Sequence, residues 1–297
     1  MENYLDLINE YFRIKNNLIR FNSYSNDVRL FDNHIVKTLK TRERLENCVV
    51  GLQIMRNTSI KVPMIQFVCQ ERNTIVENYI YGITLNEYTT HLTTKMLYEI
   101  GRLLGKFHSI NISSKNDEDE CTIKVLADLM QIKQKLSPYE NDFMDAINFV
   151  ENESKQIFNG LHFTYVHGDF RLANIIFNQQ KKHYYVIDFE NFSVGDSMLD
   201  IYKMLSILET SKGYTFNDVK AFLDGYSSVK SIPKNLDEKW IFYDVYYSLR
   251  SVRRAINDNN FRNSNDAYII NADMSAQRKN PQTLVMMNWL NQYIKMH

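Results

Sequence analysis

The chain has little of what marks fibrous, secreted or membrane-bound proteins. Only 9 of its 297 residues are glycine and 4 are proline, too few for a collagen-like or low-complexity polymer. Its 3 cysteines, Cys48, Cys69 and Cys121, are odd in number, widely spaced and without a Cys-x-x-Cys pair. No disulfide framework is therefore expected, and a reducing, cytoplasmic setting is. No window approaches 18 apolar residues in a row, and Met1 to Asn9 carry Glu2 and Asp6 instead of a basic stretch before an apolar core. A membrane span and a signal peptide are both disfavoured. The chain also has no charge excess, with 35 Lys+Arg against 35 Asp+Glu. Binding that rests on neutralising many phosphates needs such an excess, so nucleic acid is not an expected partner.

What remains is ample for a globular protein: 44% of residues are hydrophobic and 24% charged. The length exceeds what one core usually supports, so two lobes are expected. Tyr4 to Ile14 places its apolar residues on one helical stripe. Leu18 to Phe21, Val28 to Phe31 and His34 to Leu39 are short apolar runs divided by polar clusters, the pattern of an antiparallel meander. A helix is expected over Arg42 to Arg56, then an apolar run after Pro63 and a strand from Thr74 to Tyr81 closed by Gly82. Beyond Gly82 helices dominate: Thr94 to Ser109, Ile123 to Leu136, Asp142 to Phe158, Phe216 to Tyr226, Leu236 to Asp258 and Pro281 to Lys295. The expected class is α+β, with an N-terminal lobe over 1–82 and a larger, mainly helical lobe over 83–297.

The second half has three strand-like runs close together, Phe163 to Val166, Asn174 to Phe177 and Tyr184 to Ile187. They enclose His167-Gly168-Asp169 and lead to Ile187-Asp188-Phe189-Glu190. This order brings Asp169, Asn174 and Asp188 to the mouth of a small sheet as a set of hard oxygen donors. Such a set suits Mg²⁺, which takes one or two carboxylates and completes its shell with phosphate oxygens and water. In phosphoryl transfer a protein mainly positions and neutralises, so a sparse set suffices. Taken singly, each of the three residues would also serve as an ordinary turn or strand-end residue.

These motifs resemble the catalytic loop and metal strand of the aminoglycoside phosphotransferase and choline kinase superfamily. Protein kinases fit less well: His-Gly-Asp stands where they have His-Arg-Asp, Phe-Glu follows Asp188, and no Ala-Pro-Glu segment appears. The resemblance implies a bilobal, protein-kinase-like fold, with an antiparallel sheet in the small N-terminal lobe and ATP between the lobes. It implies Asp169 as the catalytic base, and Asn174 and Asp188 as ligands to Mg²⁺. Gly195-Asp196 and Leu199-Asp200 match a later family pattern whose second Asp supports the catalytic loop. Lys37 resembles the lysine that pairs ATP phosphates, with Glu46 on the next helix as its partner; Lys40 and Glu43 compete for that role. The run Val76 to Gly82, with Glu77 and Tyr79, resembles the hinge whose backbone meets adenine. Ser25-Asn26 resembles the Ser/Thr-Asn of the nucleotide loop in choline-kinase-like members, although Asn22 to Asp27 has no glycine to let backbone approach phosphate closely.

The implied acceptor is a hydroxyl on an amino-alcohol, an amino-sugar or a related small molecule. Its pocket is expected around Leu236 to Asp258, where Trp240, Tyr243 and Tyr247 share a helical face and Arg250, Arg253 and Arg254 follow. The aromatics suit either a cation–π site or simply the core. Glu190 and Asp273 are further candidate pocket acids. The remaining alternatives are a nucleotide-binding, kinase-like module with a structural role and a protein kinase.

Overall fold

The computed structural model describes residues 10–11, 13, 18–21, 26–88, 91–112, 118–136, 140–159, 163–210, 213–257 and 281–296. Ser25, Asp273 and nearly all of the expected Tyr4 to Ile14 helix lie outside them. The chain divides into two compact units, residues 1–90 with 167–193, and 91–166 with 194–297. The segment 167–193, expected from sequence within the 83–297 lobe, thus packs with the first unit.

The first unit is built on a five-stranded antiparallel sheet of order β1-β2-β3-β5-β4. Its strands are β1 (Arg20–Phe21), β2 (Asp27–Phe31), β3 (His34–Thr38), β4 (Ile65–Cys69) and β5 (Thr74–Asn78). Asp32 and Asn33 form the two-residue turn between β2 and β3 with φ of 45° and 60°, a left-handed pair that matches the twist of the flanking strands. Tyr11, Val36 and Val76 form a buried cluster, with Leu18, Phe31 and Phe67 packed against it. Helix α1 (Arg42–Arg56) starts where the Thr41 side chain accepts from the Arg44 amide, and it buries Leu45, Cys48, Leu52 and Met55. That spacing, i, i+3, i+7, i+10, defines one helical stripe. A second small sheet, order β6-β8-β9, joins β6 (Ile83–Thr84), β8 (Ile175–Asn178) and β9 (His183–Val186).

The second unit is mostly helical. It contains α2 (Thr94–His108), α3 (Glu118–Leu136), α4 (Glu140–Ile157), α5 (Met198–Thr210), α6 (Phe216–Ser227), α7 (Leu236–Asn257) and α8 (Pro281–Met296). The short strands β7 (Thr164–Val166) and β10 (Ser193–Gly195) pair with each other. Helix α6 opens with a capping box between Thr215 and Asp218, which satisfies two otherwise unpaired amides. Two buried polar networks fix α5. His108 lies between Asp200 (Nε2 to Oδ2, 3.1 Å) and the Tyr226 hydroxyl (3.0 Å to Nδ1). Asp196 accepts from Lys239 (2.8 Å), the Tyr243 hydroxyl (3.2 Å) and the Met198 amide (3.0 Å). No helix among the described residues is long and apolar enough to cross a membrane.

Candidate active site

The loop after β7 is locked by His167. Its Nε2 lies 2.9 Å from the Ile187 carbonyl, and the Asp169 amide lies 3.3 Å from its Nδ1. A carbonyl only accepts and an amide only donates, so the ring is the neutral tautomer with its proton on Nε2. Gly168 has φ +78, and a Cβ there would lie 2.4 Å from the Asn191 carbonyl oxygen. Glycine is required on both counts, conformation and space.

Asp169 is held from two sides. Asn174 donates through Nδ2 to the Asp169 backbone carbonyl (2.8 Å) and to Oδ2 (3.0 Å), and Arg171 Nε lies 2.9 Å from the same Oδ2. Both contacts address one oxygen, which leaves Oδ1 for a further partner. Asn174 in turn spends its amide nitrogen on Asp169, so its carbonyl oxygen is the end suited to a cation. The Ile187 amide donates to the Asn174 carbonyl at 3.0 Å, and this ties Asp188 to the same loop. Asp188 has φ +71, a left-handed conformation uncommon outside glycine and concentrated at functional sites. Burial lifts its carboxyl above the usual range; Lys37 pulls it back down, and Glu190 raises it again.

Lys37 is buried on β3, with its ammonium 3.0 Å from Glu77 Oε2 on β5. Burial opposes the ammonium charge, yet Glu77 and Asp188 together hold it above its ordinary value. Cys48 donates its thiol to Glu77 Oε1 at 3.7 Å. Burial, reinforced by Glu77, pushes that thiol well above its usual range, so Cys48 is a neutral donor.

Several sequence expectations change here. Glu46 is not the partner of Lys37: it sits on the exposed side of α1, paired with Arg42 at 2.9 Å, its side chain 61% exposed. It lies one residue beyond Leu45, about 100° round the helix from the buried stripe. Lys40 and Glu43 are exposed as well. Glu77 belongs to β5, and its side chain serves Lys37. The Tyr79 amide donates to the Asn33 carbonyl at 3.0 Å, which removes that donor from an adenine edge. Asn26 is buried and donates to Glu190 Oε2 at 2.6 Å, so its side chain ties the start of β2 to the turn after β9.

Glu190 proves to be a hub that motif reading treated only as a spare acid. Besides Asn26, it receives Arg44 at 3.3 and 3.4 Å, and its backbone carbonyl receives Asn47 at 3.4 Å. Arg44 and Asn47, three apart on α1, signal this contact in the sequence only once the helix face is known. Among the described residues no group of three or more His, Cys, Asp or Glu forms a ready-made metal cage. The Asn174 and Asp188 pair fits a hard cation that draws its other ligands from phosphate and water.

On α7 the aromatic stripe is largely core: Trp240 and Tyr243 are buried, and Tyr202, Tyr243 and Tyr247 stack. The exposed face of the stack is taken by the chain's own cations. Lys203 lies 3.6 Å from the Tyr247 ring centroid, and Arg250 lies 5.2 and 5.7 Å from Tyr247 and Tyr246. Arg250 and Arg253 both pair with Asp128, at 3.2 and 2.6 Å.

Comparison with known proteins bears on the fold and the family. Structures of similar fold include the streptomycin–ATP–APH(2″)-IIa ternary complex, 21% identical, covering 89% of this chain and 95% of that one at TM-score 0.62. The choline kinase LicA from Streptococcus pneumoniae is 19% identical, covering 91% and 96% at 0.64. The amicoumacin kinase hAmiN, in complex with AMP-PNP, Ca²⁺ and Ami, is 12% identical, covering 98% and 97% at 0.64. At these identities the likeness establishes the kinase-like fold. No curated protein sequence matches the chain. The family model described as "Phosphotransferase enzyme family" (APH) matches residues 78–232, more than half of the chain and inclusive of Asp169, Asn174, Asp188 and Glu190. The chain belongs to the APH phosphotransferase enzyme family.

Proposed function

We propose that this protein is a small-molecule kinase that transfers the γ-phosphoryl group of ATP, with Mg²⁺, to a hydroxyl of an amino-alcohol, amino-sugar or related compound. One observation carries the reading: a single compact unit holds a buried Lys37 paired with Glu77, within electrostatic reach of Asp188, together with an Asp169 fixed by Asn174 and Arg171. Holding a cation and two acids away from water costs desolvation, and a metal-bound triphosphate would make use of all three charges. In this assignment Asp169 Oδ1 accepts the proton of the attacking hydroxyl. The acceptor oxygen bonds to the γ-phosphorus as the bond to the β–γ bridging oxygen breaks, and ADP leaves. Lys37 directs donors at the ATP phosphates. Asn174 Oδ1 and the Asp188 carboxylate would hold Mg²⁺, whose charge would neutralise the phosphates.

The test is acceptor-dependent ATP turnover across a panel of amines, amino-sugars and amino-alcohols, with wild type beside Asp169→Ala. Phosphate should appear in the small-molecule fraction and vanish in the variant, with nucleotide binding retained. ATP binding with no acceptor-dependent turnover would favour a nucleotide-binding structural module, and phosphate in the protein fraction a protein kinase.

A further inference from the structure

We infer that Glu77 is the positioning residue of the phosphate-binding lysine, and that β5 supplies the carboxylate which the family resemblance places on the helix after β3. The inference rests on the phosphotransferase reading and adds a role that the reading does not require. The sheet register makes the pairing possible. Lys37 lies opposite Ile75 and Ile35 opposite Glu77, so Lys37 and Glu77 are diagonal neighbours on one face of two adjacent antiparallel strands. Such neighbours are about 7–8 Å apart at the backbone, within reach of two long side chains. Both side chains are nearly sealed, 8% and 2% exposed, and their charged ends lie 3.0 Å apart.

Helix α1 has no acid for this task. Its two carboxylates, Glu43 and Glu46, are exposed, and what α1 brings to the pair is the buried Cys48, whose thiol donates to the other oxygen of Glu77. Lysine, glutamate and cysteine therefore form a chain in which one carboxylate oxygen is ion-paired with Lys37, the other accepts from the thiol, and the helix contributes only a neutral donor. The helix is coupled instead to the turn after β9, through Arg44 and Asn47 on Glu190. The position of the Lys37 ammonium is thus set within the sheet, and a shift of α1 would disturb Glu190 before it disturbed Lys37.

The experiment compares Glu77→Gln, Glu46→Gln and Glu77→Gln/Cys48→Glu with wild type in acceptor-dependent turnover. The last variant moves the carboxylate from strand to helix at a position already touching Glu77. Glu77→Gln should lower kcat by about tenfold or more with the KM for ATP changed by less than about threefold, the signature of lost positioning. Glu46→Gln should leave both parameters within about twofold, and the double variant should recover most of the lost kcat. Should Glu77→Gln fail to fold, Glu77→Asp keeps the charge, shortens the reach by one methylene, and should show the same split in milder form. A second readout needs no catalysis: in urea unfolding, Lys37→Met and Glu77→Gln should be strongly non-additive, whereas Lys37→Met and Glu46→Gln should add. Wild-type kinetics in folded Glu77→Gln, a loss carried by Glu46→Gln, or additivity of Lys37 with Glu77 would overturn the inference. A wild-type protein that shows no MgATP binding or turnover would overturn the phosphotransferase reading instead, and the unfolding cycle would still report the pair.

Discussion

Replacing Gly168 with alanine tests whether the loop after β7 and the Phe189–Asn191 turn are one mechanical unit. The residue has φ +78, where a Cβ costs about 1–2 kcal/mol through its clash with the neighbouring carbonyl. A Cβ at Gly168 would also meet Asn191 at 2.4 Å from its carbonyl oxygen, 2.8 Å from its Cβ and 3.1 Å from its carbonyl carbon. Backbone cannot swing aside as a side-chain tip does, so relief requires moving the Phe189–Asn191 turn, at about 1–3 kcal/mol for an overpacked site. The expected destabilisation is about 2–5 kcal/mol in total. Gly213→Ala is the matched control. Its φ is +97, but its Cβ would come no closer than 3.6 Å to His91, so only the conformational cost of about 1–2 kcal/mol applies. Urea unfolding of both variants gives the difference. Because the turn that must move begins directly after Asp188, Gly168→Ala should also lose stabilisation by MgATP, read as a smaller rise in melting temperature at fixed nucleotide. If Gly168→Ala costs no more than Gly213→Ala, or if it keeps the full nucleotide-induced shift, the loop and the turn are not coupled through Asn191.

Four further outcomes are expected. Lys239→Met strips the buried Asp196 of its cation and leaves only two neutral donors, so unfolding free energy should fall by about 3–5 kcal/mol; a loss under about 1 kcal/mol would mean that the site admits water. Cys48 should resist iodoacetamide in the native protein while the partly exposed Cys69 reacts, as peptide mapping can show. Since folding raises the Cys48 pKa, the unfolded chain releases its proton first. Stability should therefore decline as pH rises past the ordinary thiol value of 9.0, by at most about 1.4 kcal/mol per pH unit, and Cys48→Ala should flatten that decline. Finally, Asp188→Asn should weaken Mg²⁺-dependent nucleotide binding more than Asp169→Asn does, measured by calorimetry; equal losses would contradict their separate roles.

How much of this was legible beforehand depended on the length of each signal. Helix α1 was read to the residue at both ends because Thr41 caps it and Leu45, Cys48, Leu52 and Met55 repeat at helical spacing. The three-strand segment around Asp169 was found because apolar runs bracket a polar loop. The strands β6 and β10 escaped, being two and three residues long, too short for any periodicity to show. The partner of Lys37 was misplaced for a different reason. The family resemblance puts that partner on the next helix, whereas burial is decided by angle: Glu46 shares the helix with Cys48 but lies on another face. The true partner could have been found by pairing the strands, since once His34–Thr38 and Thr74–Asn78 are laid antiparallel in register, Lys37 and Glu77 fall on one face.

The acceptor end is less legible, because an aromatic stripe reads the same whether it lines a pocket or fills a core. Here the side chains decide against a ready slot for a quaternary amine. Tyr247 already carries Lys203 on its face, Arg250 covers Tyr246 and Tyr247, and the neighbouring acids are engaged, Asp128 by Arg250, Arg253 and the Tyr246 hydroxyl, and Asp244 by the Tyr202 hydroxyl. A cationic ligand would have to displace one bound cation and then share its space with the others, and a cation–π contact worth about 0.5–2 kcal/mol does not offset that repulsion. The side chains described on α5 and α7 therefore do not favour a cationic group against this stack. A cationic acceptor would need its recognising carboxylate elsewhere in the chain.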